Sequence, residues 1–209
     1  INMAIDAKLV AELRNMTGAG MMDAKAALEE AGGNLETAAD ILRKKGVVKA
    51  SKRAGRATGE GLVYSYIHST GKIGVLLELQ CETDFVARTD DFKELAHKLA
   101  MHIAATNPNY LDDAGIPLKD IEHERELASE ALKAEGKPAE MIEKIVDGKI
   151  EKWKGEYVLL RQPFVMDEEK TVEAVLQDAI SRIGENIRLT SFARFDIQGS
   201  MTACSTVVA

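Results

Sequence analysis

The sequence predicts an α+β protein, with an N-terminal three-helix domain followed by a small antiparallel β-sheet core flanked by helices. Three observations carry that prediction. Apolar residues recur at helical spacing over residues 5–46, the period drops to two after Gly61, and alternation returns between Ile187 and Ile197. With 209 residues, 45% of them hydrophobic, there is material for one or two domains. Only 5% are aromatic, so the cores rest on aliphatic side chains and Met.

Ile5, Leu9, Val10 and Leu13 share one helical face, with Asp6 placed to cap the start. Thr17-Gly18-Ala19-Gly20 breaks this helix, and a second spans Met21–Glu30 before Gly32-Gly33. Asn34 caps a third helix, carrying Leu35, Ala38, Ala39, Ile41 and Leu42, with Gly46 where a stop belongs. These make a domain over residues 3–46, marginal in size and in need of a larger neighbour. Residues 47–60 read as a linker within a basic run of Arg43, Lys44, Lys45, Lys49, Lys52, Arg53 and Arg56.

Leu62, Tyr64, Tyr66 and His68 then alternate with Val63, Ser65 and Ile67. Ser69-Thr70-Gly71-Lys72 turns the chain, and Ile73, Val75, Leu77, Leu79 and Cys81 return on one face as a hairpin. A helix over residues 90–105 buries Phe92, Leu95, Ala96, Leu99 and Ile103, and Asn107-Pro108 ends it. Residues 112–156 are highly charged and read as three short helices divided at Gly136-Lys137-Pro138 and Asp147-Gly148. A non-helical connection crosses residues 159–164, and Thr171 caps a helix stopped by Gly184. The last strand presents Ile187, Leu189, Ser191, Ala193, Phe195 and Ile197 on one face. The α+β core spans residues 61–198, and residues 199–209 read as a disordered tail.

The net charge of −7 argues against bulk attraction for a polyanion. Cys81 and Cys204 make neither a disulfide framework nor a CxxC pair, which favours a reducing compartment. No run of about 18 apolar residues predicts a membrane span, and no leader is recognisable. A cytoplasmic protein is expected, or one of an organelle matrix if a transit segment has been removed. Gly18-Ala19-Gly20 lacks the preceding strand and spacing of a phosphate loop. His97 and His102 stand five apart, off the i, i+4 spacing of metal ligands, and neither HExxH nor GxSxG occurs. No catalytic residue, metal or cofactor is expected.

The segment that stands out is Glu78-Leu79-Gln80-Cys81-Glu82-Thr83-Asp84-Phe85-Val86-Ala87-Arg88, where an apolar strand ends in a carboxylate beside an aromatic. Two readings stay open: Phe85 tucks into the core, or it is an exposed wedge suited to binding.

Leu13-Arg14-Asn15-Met16-Thr17-Gly18-Ala19-Gly20-Met21-Met22-Asp23-Ala24-Lys25-Ala26-Ala27-Leu28 closely resembles the N-terminal signature of bacterial elongation factor Ts. The segment around Thr83-Asp84-Phe85-Val86 resembles the family's second signature. Arg161-Gln162-Pro163-Phe164-Val165 and Ile183-Gly184-Glu185-Asn186-Ile187 also resemble family segments, so the likeness covers most of the chain. The resemblance implies a nucleotide exchange factor for the GTPase elongation factor Tu. It implies a ubiquitin-associated-type fold for the first three helices, with Arg14, Met21 and Met22 contacting the partner's nucleotide domain. It implies that Thr83, Asp84, Phe85 and Val86 intrude near the partner's Mg²⁺. Gln80 departs from the Asn often seen there, and the chain resembles compact members without the long coiled-coil insertion. A homodimer through the sheet is a further expectation, since three strands leave edges or a face uncovered. The alternative is an RNA- or ribosome-binding module using the basic segment 43–56; otherwise no direct nucleic-acid contact is expected.

Overall fold

Asp6 Oδ1 accepts the Lys8 N–H at 3.0 Å and starts α1 (Ala7–Thr17), which ends where Gly18 turns left-handed at φ 67°. After α2 (Met21–Glu30), Asn34 Oδ1 accepts from the Thr37 N–H at 2.9 Å and opens α3 (Leu35–Arg53). Val10, Leu13, Ala24, Ala27, Leu28 and Ala38 close a small core among the three helices. The alanines let the helices approach closely, and a bundle this small needs that.

The computed structural model describes residues 5–205 and divides into two units. The first joins residues 1–61 with residues 80–89 and 174–188. Here α3 does not stop at Gly46 as expected but runs seven residues further, through most of the basic run. Gly46 is buried, and a Cβ there would sit 3.3 Å from Ser181 Oγ of α8 (Val172–Ile183). The glycine marks a close approach of two helices, which a sequence shows with the same letter as a stop. Gly184, at φ 91°, ends α8 as expected.

The second unit holds residues 62–79, 90–173 and 189–209. Its four-stranded sheet has the order β1-β2-β5-β6, from β1 (Glu60–Ile67), β2 (Ile73–Cys81), β5 (Arg188–Asp196) and β6 (Ser200–Ser205). Val75, Leu77 and Leu79 of β2 are buried, as are Phe92, Leu95, Leu99 and Ile103 of α5 (Asp90–Thr106). Between them in the chain sits one helical turn, α4 (Asp84–Ala87). The charged stretch folds as two helices, α6 (Leu118–Ala134) and α7 (Ala139–Tyr157), and not three. Gly148 lies inside α7: Val146 and Ile150 pack on Leu132 either side of it, and that burial outweighs the cost of about 1 kcal/mol for an exposed helical glycine.

The segment Arg161-Gln162-Pro163-Phe164 is explained by His102, which is fully buried. Its Nδ1 accepts from the Val165 N–H at 3.3 Å, so Nε2 donates to Gln162 Oε1 at 2.9 Å. Burial pushes the His102 pKa down, consistent with a neutral ring. Arg161 pairs with Glu151 and Asp113. The two-stranded sheet of β3 (Pro163–Phe164) and β4 (Asp167–Thr171) follows directly.

Two expectations fail in the last strands. On β5 the buried residues are Leu189, Phe192 and Arg194, while Phe195 is exposed, as is Ile197 beyond the strand. Arg194 takes the inward place because Nε donates to the Ala104 carbonyl at 3.2 Å, near the end of α5, and Nη2 meets Asp196 at 3.1 Å. The tail is not disordered over residues 200–205: β6 pairs antiparallel with β5, Phe195 opposite Met201 and Phe192 opposite Cys204. Its short, uncharged run carries little local signal, and the open edge of β5 supplies the ladder that orders it. Residues 206–209 of that expected tail lie outside the described residues.

Candidate partner-binding site

The strand β2 ends at Cys81, whose buried thiol donates to the Thr83 carbonyl at 3.1 Å; burial, and then the charge of Glu185, push its pKa up. Thr83 caps α4, its Oγ1 accepting from the Val86 N–H at 3.4 Å. One turn of helix cannot hide every side chain. Ala87 goes in, Val86 is half-buried, and Phe85 stands 81% exposed. Leaving a Phe in water forgoes about 1.5–3 kcal/mol that burial would have given. Phe85 is therefore not a core residue, and the first of its two readings is removed. Asp84 sits beside it, paired with Arg88 at 2.9 Å.

Behind this turn three chain segments are tied by polar groups. Glu185 accepts the N–H groups of Glu82 and Thr83 on one oxygen, each at 3.1 Å, and the Thr83 hydroxyl on the other at 2.7 Å. The Asn186 N–H donates in return to Glu82 Oε1 at 2.6 Å. Asn186, buried to 2% exposure, donates through Nδ2 to the carbonyls of Arg56 at 2.8 Å and Ala54 at 3.4 Å. Arg56 meets Glu82 at 3.4 Å. The sequence reading placed Arg56 in a linker and gave Glu185 and Asn186 no role. A Glu-Asn pair wedged between a glycine-stopped helix and an apolar strand was the available signal.

At the N-terminal signature, Met21 is 61% and Met22 75% exposed on the first turn of α2. Arg14 is exposed on α1, its Nε 3.4 Å from the Ala19 carbonyl, so it spans the loop leading to those methionines. Met16 is exposed too, and the sequence reading did not single it out. All these residues and the 83–86 turn belong to the same unit. Among the described residues no group of His, Cys, Asp or Glu is arranged to hold a metal ion, and no helix is long and apolar enough to cross a membrane.

A family model described as elongation factor TS matches residues 25–199. An elongation factor Ts of Fervidobacterium nodosum is 56% identical over 195 residues, 93% of this chain and 99% of that protein. That of Thermosipho melanesiensis is 53% identical over 193 residues, 92% of this chain and 98% of the relative. That of Oleidesulfovibrio alaskensis is 54% identical over 194 residues, 93% and 98% of the two chains.

Proposed function

Because this chain belongs to the elongation factor Ts family of translation elongation factors, we propose that it is the guanine nucleotide exchange factor of elongation factor Tu. The exposed Phe85 on an anchored turn is the observation that carries this reading. Thr83, Asp84, Phe85 and Val86 press toward the partner's Mg²⁺, while Arg14, Met21 and Met22 hold its nucleotide domain. Mg²⁺ demands near-ideal octahedral geometry at about 2.0–2.1 Å, so a small intrusion into its surroundings ejects it. GDP, deprived of the ion and part of its phosphate cradle, then leaves. This chain makes and breaks no bond. By linkage, GDP weakens the chain's binding by the factor with which the chain weakens GDP's.

The test is release of a fluorescent GDP from elongation factor Tu with and without the chain. A large acceleration is expected, and release at the unassisted rate overturns the proposal. The RNA alternative loses ground because Lys45 pairs with Glu30, Lys49 with Asp23 and Arg56 with Glu82, leaving fewer cations for phosphate.

A homodimer through the sheet belongs to the same proposal. Val63, Ile67, Leu76, Phe195 and Met201 are exposed, Phe195 and Met201 as a cross-strand pair. Light scattering under reducing conditions is expected to show a dimer at tens of micromolar, and a monomer alone removes it.

A further inference from the structure

Glu185 meets more donors than an uncharged side chain of its size can accept. Two N–H groups converge on one oxygen and a hydroxyl on the other. A carboxylate is acceptor-only, with about four lone-pair sites, whereas an amide has one acceptor oxygen and puts donors where the other would be. The contacts are also reciprocal. The Glu82 backbone gives to Glu185, and the Glu82 side chain accepts from the Asn186 backbone, across 103 and 104 residues of chain. Asn186 extends the tie to residues 54 and 56, fastening the end of α3 to the same point. What is held is the N-cap of the turn that displays Phe85, whose side chain is mostly in solvent. A cap bound on three sides sets the direction in which an exposed aromatic leaves the surface.

We propose that Glu185 is a positioning residue for nucleotide exchange: its carboxylate, backed by Asn186, fixes Glu82 and Thr83 so that Phe85 is presented to the partner in one orientation. This rests on the exchange reading above. Binding through Met21 and Met22 does not pass through Glu185, so its loss falls on the rate within the complex and not on forming the complex.

The experiment is stopped-flow GDP release from elongation factor Tu at increasing concentrations of the full chain, for Glu185→Ala, Glu185→Gln, Phe85→Ala and the Glu185→Ala/Phe85→Ala double variant, with melting of each. Glu185→Ala is expected to lower the maximal release rate about tenfold while the half-saturating concentration moves little. Glu185→Gln keeps one acceptor oxygen and recovers part of the rate, and it serves the same test should Glu185→Ala not fold. The double variant is expected to be no slower than Phe85→Ala, because a residue acting only through Phe85 has nothing left to position. A normal maximal rate in Glu185→Ala beside a slow Phe85→Ala overturns the positioning role alone. An additive loss in the double variant overturns it too. A normal rate in Phe85→Ala overturns the exchange reading at its wedge, and this inference with it.

Discussion

Phe85→Ala is expected to slow stimulated GDP release roughly thirtyfold and to leave melting nearly unchanged. An aromatic anchor buried in a partner typically contributes about 2 kcal/mol or more, and each 1.36 kcal/mol of lost transition-state stabilisation is about tenfold in rate. The side chain is 81% exposed, so truncation removes little that holds the free protein together. Phe92 is the control: it is fully buried, and its truncation costs about 3–5 kcal/mol of folding stability. Asp84→Ala is expected to act in the same direction as Phe85→Ala without loss of stability, since its exposed pair with Arg88 is worth only about 0.3–0.5 kcal/mol to the fold. Raised free Mg²⁺ opposes the wild-type chain. A Phe85→Ala protein that melts early and exchanges normally would sink this reading.

Replacing Met21 and Met22 together by Ala is expected to weaken the complex by about 2–3 kcal/mol, roughly thirtyfold to over a hundredfold in Kd. Unbranched thioether side chains adapt to a partner surface, and at this exposure they give the free fold little. Ala is the best helix former, so α2 survives the change. Calorimetric titration against GDP-bound elongation factor Tu reads the affinity, and circular dichroism the helix. An unchanged Kd would take this patch out of the interface.

The local grammar of the chain was legible where one residue does one job. Asp6 and Asn34 cap as their types suggest, and the hairpin and the α5 stripe follow their periods. Reading failed where a tertiary partner chooses between two meanings. Gly46 spells a stop until Ser181 lies against it. Arg194 belongs outside by type and inside once the Ala104 carbonyl and Asp196 receive it. The six residues of β6 have no signal apart from the strand they join. At the site, Phe85 was legible as an oddity at a corner, but not its exposure. Glu185 and Asn186 were legible only as a polar pair between a glycine-stopped helix and an apolar strand, and what they tie was not, because the partners lie more than a hundred residues away.

That separation has a consequence for how the protein is made. Closing a loop of 104 residues costs about 4 kcal/mol of chain entropy. A few net hydrogen bonds at about 1 kcal/mol each do little more than offset it. The neighbouring strands β2 and β5 bring the two ends together. On the ribosome the chain emerges from its N-terminus, so the helices α1 to α3 are available early, Phe85 included soon after. Until residues 185 and 186 have left the exit tunnel, Thr83 has no carboxylate to fasten to. A nascent chain arrested before that point carries the signature residues of a translation factor without the anchorage, because Phe85 precedes Glu185 and Asn186 by about a hundred residues.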